Sequence, residues 1–131
     1  MKKIGILNSE ISKVISEMGH MDQIVICDAG LPIPDHVKRI DLALTKGVPG
    51  FEETLKTVLT ELQVEKVIYA EELAEKSPQI QEQIDALFPD TESQRIPHDK
   101  FKELTRNAKA IIRTGEFTPY ANIILQAGVV F

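Results

Sequence analysis

The sequence predicts an α/β fold in which helices cover a mainly parallel or mixed sheet. Short apolar stretches rich in β-branched residues alternate along the chain with stretches of helical periodicity, a pattern typical of this class. The chain has 131 residues, of which 43% are hydrophobic. These totals suit a single domain over residues 1–131, built around one core.

The first helix is predicted over residues 8–18, where apolar side chains recur at intervals of three and four. Asn8 or Ser9 can cap its first turn by accepting a hydrogen bond from a free backbone N–H. Gly19 suits the position after the helix because glycine adopts a positive φ at little cost. His20 is therefore expected just beyond a helix end.

The next stretch, "QIVIC", is continuous and β-branched, as expected of a buried strand, and it ends at "DAGLPIP". Asp28 is therefore predicted at the carboxyl end of a strand, where α/β folds usually bind ligands. Further on, Ser77 is predicted as an N-cap with Pro78 in the first helical turn. The remaining strands are predicted at "KRIDLAL", "VEKVIYA", "ESQRIP", "KAIIRT" and "ANIILQAGVVF", and the remaining helices at "FEETLKTVLTEL", "SPQIQEQIDALF" and "HDKFKELTRNA".

Charge and composition exclude several classes of function. The formal net charge is −5, and the basic residues form no stripe, so a nucleic-acid partner is not expected. No apolar run approaches a membrane span, and no secretory signal is visible. The one cysteine, Cys27, lies inside an apolar strand and is expected to be a buried thiol, which fits the reducing cytoplasm.

Motifs for cofactors and metals are not found. There is no GxGxxG, P-loop or GxSxG motif, and the three histidines match no zinc spacing. We therefore expect neither cofactor nor metal, and acid–base chemistry remains. The sharpest candidate is His20, since imidazole donates and accepts protons near neutral pH. Its alternative role is a helix-end histidine that interacts with the last carbonyl groups.

The other candidates are polar residues near predicted strand and helix ends. Asp28 can accept hydrogen bonds from a ligand hydroxyl, or it can simply form an Asx-turn. His98 opens a predicted helix and has the alternative role of a cap-region residue. In "TPYAN", Tyr120 and Asn122 are spaced to share one face of an extended segment. A phenol and a carboxamide together suit a polyol ligand, although an edge tyrosine and a turn asparagine are an equal alternative.

Three blocks of the sequence, "GILNSEISKVISEMGHMDQIVICDAGLPIP", "IDLALTKGVPGF" and "IIRTGEFTPYANIILQAGVVF", resemble the RbsD family of D-ribose pyranases, which are related to the fucose mutarotases. The resemblance extends over residues 1–131 and implies an RbsD-like fold. It implies an isomerase that interconverts the pyranose and furanose forms of D-ribose, and its anomers, and so supplies ribose to ribokinase. It also implies a cytoplasmic homodecamer of two pentameric rings, with sites near subunit contacts.

The same resemblance implies roles for individual residues. His20 corresponds to the family's proton donor, and the sugar-binding positions correspond to Asp28, His98, Tyr120, Ala121 and Asn122. On this reading His20 and the sugar-binding groups share one cleft. Two rival functions remain open, namely a mutarotase for another sugar such as fucose and a non-catalytic sugar-binding module.

The end of the chain carries a further expectation. The segment "ILQAGVVF" is apolar to its last residue, which predicts a buried C-terminus and an interface strand. The alternative is an ordinary core strand that happens to end the chain.

Overall fold

The computed structural model describes residues 1–131, which form six strands and five α-helices. The strands are β1 (Gln23–Cys27), β2 (Lys38–Asp41), β3 (Val64–Ala70), β4 (Glu92–Ile96), β5 (Ala110–Arg113) and β6 (Ile123–Ala127). The helices are α1 (Ser9–Glu17), α2 (Phe51–Leu59), α3 (Leu73–Lys76), α4 (Pro78–Leu87) and α5 (His98–Leu104). All the predicted elements are present, and α3 is an additional short helix.

One sheet contains all six strands, in the order β2-β5-β1-β6-β3-β4. β6 runs antiparallel to both of its neighbours, β1 and β3, whereas the other three neighbouring pairs are parallel. The predicted mixed sheet is therefore confirmed. We call the side where β1, β3 and β5 end and β6 begins the carboxyl edge, and the opposite side the amino edge.

Helices cover both faces of this sheet. In β1, Ile24 and Ile26 point into a core cluster of 22 buried residues that also contains the apolar faces of α1, α2 and α4. The alternate residues, Val25 and Cys27, point into a cluster of eight that includes Phe101 of α5. Burial of each large apolar side chain contributes about 1.5–3 kcal/mol. The sheet is thus fixed from both sides, and its edges carry the connecting loops.

Of the two predicted ends of α1, the structure confirms the first. Oδ1 of Asn8 accepts the backbone N–H of Ile11 at 2.9 Å, so the predicted N-cap is confirmed. The prediction for Gly19 is wrong, because the positive φ falls on Met21 (71°) instead. The helix ends in an extended residue and needs no left-handed one, and the N–H of Gly19 donates to the carboxylate of Asp22 at 2.9 Å.

The final residues of the chain lie outside the core of the single chain, so burial of the C-terminus in an interface stays a prediction. Ile123–Ala127 is a central strand, but Val129, Val130 and Phe131 are exposed in the isolated chain. They lie beyond the sheet, since Gly128 leaves β6 at the amino edge and donates its N–H to Gln63. None of the helices has the length and apolar character needed to span a membrane.

Candidate active site

Asp28 lies directly after β1 at the carboxyl edge, as predicted. Its Oδ1 accepts hydrogen bonds from the backbone N–H groups of Gly30 and Leu31, each at 2.9 Å. Its Oδ2 accepts one from Nδ2 of Asn122 at 3.1 Å. The two oxygens therefore differ, because Oδ1 holds the Asx-turn whereas Oδ2 faces a polar side chain.

Asn122 comes to this position because β6 is antiparallel to β1. The strand's first residues lie beside the last residues of β1, with Ile26 opposite Ile123. Oδ1 of Asn122 accepts the backbone N–H of Asp28 at 2.9 Å, so the two residues exchange a pair of hydrogen bonds. Asn122 is 1% exposed, so these bonds are sheltered from water.

The environment of Asp28 alters its acidity. Burial, which disfavours the charged form, raises the pKa of its carboxyl. Hydrogen bonds from Gly30, Asn122 and Leu31, together with the nearby imidazole of His98, oppose this effect but do not cancel it. The carboxylate is therefore more basic than an exposed aspartate.

His98 is the first residue of α5 and faces the same place. Its backbone N–H lies 3.1 Å from both carboxylate oxygens of Glu72, which serve as the cap of this short helix. Its ring meets the ring of Tyr120 edge to face, with centroids 5.0 Å apart, and stacks on Phe101 at 6.2 Å. Its Nδ1 is buried and has no hydrogen-bond partner within the chain.

Tyr120 and its neighbours form the turn that enters β6. Tyr120 has a φ of 63°, an uncommon value for a residue with a side chain. Ala121 is fully buried behind it. The turn is tied to α4 because Oγ of Ser77 donates to the carbonyl oxygen of Pro119 at 2.6 Å. Ser77 is the N-cap residue and Pro78 begins the helix, as predicted, but the side chain of Ser77 makes no N-cap hydrogen bond.

Two adjoining cavities open at the carboxyl edge. The first has a volume of about 330 Å³, and the second has about 390 Å³. Both lie within the range of small-molecule sites. The first is lined by Asp28, Gly30, Leu31, Pro32, His98, Pro119, Tyr120 and Asn122. The second shares Asp28, Gly30 and Pro119 with it and adds Ala29, Arg113, Glu116, Phe117 and Thr118.

Arg113 and Glu116 hold the loops around these cavities. Arg113 donates to the carbonyl oxygen of Ala29 at 3.1 Å and pairs with Asp41. Glu116 accepts the backbone N–H of Phe51 at 3.0 Å and the hydroxyl of Thr118 at 2.9 Å. These contacts fix the loops that line the larger cavity.

His20 lies at the amino edge, away from the other candidates. β1 separates it from Asp28, and a five-residue strand spans about 16 Å. Its Nε2 lies 2.8 Å from Oε2 of Glu65, whose Oε1 accepts from Gln126 at 2.9 Å. The Gln126 hydrogen bond and then the His20 hydrogen bond lower the pKa of Glu65. The chain thus brings together Asp28 and the other sugar-site candidates, but not His20.

Sequence patterns missed two residues of the site's support. Glu72 and Ser77 flank the short helix α3 and hold His98 and the Tyr120 turn, respectively. Neither carries a local signal for this role, because each contact joins distant parts of the chain. His36 is exposed, and its Nε2 lies 3.0 Å from the backbone carbonyl oxygen of Arg106. No group of three or more His, Cys, Asp or Glu side chains is arranged to hold a metal ion.

The fold and cavity define a class, namely α/β proteins with a small polar ligand site at the carboxyl edge of a mixed sheet. Comparison with known proteins narrows this class. The model of the RbsD / FucU transport protein family matches residues 1–130. The chain is 55% identical to a D-ribose pyranase of Aliivibrio fischeri, and the match covers 100% of both chains. It therefore belongs to the RbsD / FucU family.

Solved structures agree with this assignment. The structure of Bacillus subtilis RbsD complexed with D-ribose matches with a TM-score of 0.97 and 52% identity over 100% of both chains. The fucose mutarotase of Streptococcus pneumoniae in complex with L-fucose matches with a TM-score of 0.81 and 26% identity over 95% of both chains. The RbsD-like fold expected from the sequence is thus confirmed.

Proposed function

We propose that this protein is a D-ribose pyranase, an isomerase that interconverts the pyranose and furanose forms of D-ribose and its anomers. The observation that carries the proposal is the convergence of Asp28, His98, Tyr120 and Asn122 on one cavity of about 330 Å³. Full-length relatives with more than half of their residues identical bear the name D-ribose pyranase.

The groups around the cavity suit a sugar. The carboxylate of Asp28 accepts hydrogen bonds. The imidazole of His98, the phenol of Tyr120 and the carboxamide of Asn122 can each donate and accept them. A ribose ring presents hydroxyls that also donate and accept, and the edge-to-face rings of His98 and Tyr120 offer apolar surface for its C–H groups. In this proposal Asp28, His98, Tyr120, Ala121 and Asn122 hold the sugar.

Ring opening requires a proton on the ring oxygen, and we assign His20 as its donor. Because His20 lies at the amino edge, it reaches the cavity only from a second copy of the chain. Exposed apolar residues accompany each half of the site. Met21 directly follows His20, the exposed residues 129–131 follow Gly128, which lies beside Glu65, and Phe117 lines the larger cavity. Head-to-tail contact between these regions generates a closed ring when the rotation between neighbouring copies closes, and we propose such a ring here.

The assembly proposed is a homodecamer of two pentameric rings, located in the cytoplasm and supplying ribose to ribokinase. The buried free thiol of Cys27 is compatible with a reducing compartment. Sedimentation of the purified protein tests the assembly. A mass of ten chains is expected, whereas a monomer at micromolar concentration would contradict both the ring and the shared site.

Saturation-transfer NMR on D-ribose tests the activity. The protein is expected to accelerate pyranose–furanose exchange over buffer, and H20A is expected to lose 10²–10⁴-fold of this acceleration with its fold intact. H36A, which removes an exposed histidine outside the site, is the matched control. Saturable binding without faster exchange would favour the binding-module alternative, and faster exchange of L-fucose than of D-ribose would favour a fucose mutarotase.

Mixing two inactive variants tests the shared site. H20A retains Asp28 and D28A retains His20, so head-to-tail neighbours in a mixed ring rebuild some complete sites. After dissociation and reassembly of equal amounts, random order gives about one quarter of the wild-type sites. No recovery in mixed rings would contradict a site shared between copies.

A further inference from the structure

Ring opening moves two protons, and His20 accounts for only one of them. The ring oxygen gains a proton as its bond to the anomeric carbon breaks. The anomeric hydroxyl must lose its own proton as its oxygen becomes the carbonyl. A second proton carrier must therefore lie within reach of the anomeric hydroxyl.

Asp28 has one oxygen that is free to act. Its Oδ1 is occupied by two backbone N–H groups, but Oδ2 has a single partner, Nδ2 of Asn122 at 3.1 Å. A carboxylate oxygen accommodates about two hydrogen bonds, so Oδ2 keeps one position for a ligand. Asp28 is also the only carboxylate that lines the smaller cavity.

His98 also lines this cavity, but its imidazole is poorly placed to remove the proton of the anomeric hydroxyl. Its Nδ1 is buried without a partner in the chain. If its Nε2 took a proton, the imidazolium would also carry a proton on Nδ1, and burying a charge-bearing N–H without an acceptor is costly. We therefore assign His98 to sugar binding rather than to proton removal.

The surroundings of Asp28 also strengthen it as a base. Burial raises the pKa of its carboxyl, and a more basic carboxylate takes up a proton more readily in the transition state. The two backbone N–H groups on Oδ1 meanwhile fix the direction in which Oδ2 points.

We propose that Oδ2 of Asp28 is the catalytic base that removes the proton of the anomeric hydroxyl. This inference rests on the proposed function. The electron pair of the anomeric O–H bond forms the carbonyl, the pair of the bond between C1 and the ring oxygen moves to the ring oxygen, and the acid protonates that oxygen. In reclosure a different hydroxyl attacks C1 and gives its proton to the deprotonated His20, while the protonated Asp28 returns its proton to the carbonyl oxygen, so both groups are restored.

Chemical rescue distinguishes a base from a residue that only binds. D28A removes the carboxylate and leaves room for formate. We expect D28A to lose exchange by at least 100-fold, and added sodium formate to restore part of it in a saturable manner. Sodium chloride at the same concentration is the salt control. Wild type and H20A are expected to show no response to formate, because both retain the Asp28 carboxylate.

A second variant keeps the test decisive if D28A does not fold. D28N retains an oxygen for the N–H groups of Gly30 and Leu31, and it is expected to bind D-ribose while exchange falls by at least 100-fold. Exchange by D28N within threefold of wild type, or a folded D28A without formate rescue, would overturn the assignment of Asp28. Neither result touches the proposed function, which fails only if the wild-type protein does not accelerate exchange.

Discussion

Asp28 and Asn122, 94 residues apart in the chain, exchange two hydrogen bonds between the end of β1 and the entry to β6. The pair is directional, because Asn122 presents its oxygen to a backbone N–H and its amide to the carboxylate. Exchange of either side chain alone for its amide or carboxylate counterpart places like groups against each other. The carboxyl edge therefore depends on this pair for its shape as well as for its chemistry.

The first prediction follows from this pair. D28N places two amide groups against each other and is expected to lower the free energy of unfolding by about 1–3 kcal/mol. Removal of the buried charge offsets part of this loss. N122D places two carboxylates together and is expected to cost more at neutral pH. The double variant D28N/N122D restores complementary donors and acceptors and is expected to be more stable than the sum of the single changes predicts. Urea denaturation of all four proteins measures this coupling.

The coupling energy between Asp28 and Asn122 is expected to be favourable. Contacting residues in one network couple by about 0.5–3 kcal/mol. Additive losses, within about 0.5 kcal/mol, would show that the two residues do not depend on each other.

The second prediction concerns the hydrogen bond between Ser77 and the Pro119 carbonyl oxygen. S77A removes it and is expected to cost about 0.5–1.5 kcal/mol of stability. Because the Tyr120 turn then loses its tie to α4, we expect KM for D-ribose to rise more than kcat falls. S93A, which changes an exposed serine of β4, is the control. Equal KM values for the two variants would rule out a positioning role for Ser77.

The third prediction concerns the contribution of Glu116 to the stability of the fold and its dependence on pH. Burial opposes its ionisation, but hydrogen bonds from Phe51 and Thr118 outweigh burial and lower its pKa below the ordinary value of 4.5. Because the pKa of Glu116 is lower in the folded than in the unfolded protein, its carboxylate stabilises the fold at pH values above the unfolded-state pKa. This stabilisation is lost as the pH falls through the folded-state pKa. E116Q is therefore expected to be about 1–2 kcal/mol less stable at pH 7.

Measurement of unfolding at several pH values checks this sign. The difference between wild type and E116Q should shrink as the pH falls below 4.5. E103Q, at an exposed surface pair with Lys100, is expected to change stability by less than about 0.5 kcal/mol at neutral pH. A difference for E116Q that grows on acidification would contradict the assignment.

The fourth prediction concerns Cys27, which is fully buried in β1. Burial first, and then the nearby charge of Asp28, raise the pKa of its thiol to about 12. Since the thiolate is the reactive species, the native protein is expected to resist Ellman's reagent, whereas urea-unfolded protein reacts at once. Rapid labelling of the native protein would show that the β1 region opens far more readily than its burial implies.

Much of the carboxyl edge could be predicted from sequence because local patterns mark it. "QIVIC" ends at Asp28 and "KAIIRT" leads into the loop that carries Tyr120, and parallel strands end on the same side of a sheet. The buried thiol of Cys27 also follows from its immediate neighbours. These features need no knowledge of distant contacts.

Other features of the fold and the site depend on contacts between distant residues, which the periodicity of a sequence does not reveal. An apolar strand pattern does not give strand direction, so the antiparallel placement of β6 beside β1 could not be predicted. His20 and Asp28 are eight positions apart in sequence, but the strand between them places them on opposite edges of the sheet. The roles of Glu72 and Ser77 arise from helix packing against distant loops and have no local signal.

The central position of β6 has a consequence for biosynthesis. β6, the last of the six strands in chain order, is inserted between β1 and β3, so the two halves of the sheet cannot join until this strand has been synthesised. A chain that stops short of Asn122 lacks both this residue and β6, the central strand that joins the two halves of the sheet. Premature termination before β6 is thus expected to yield a chain for degradation rather than a weakened protein.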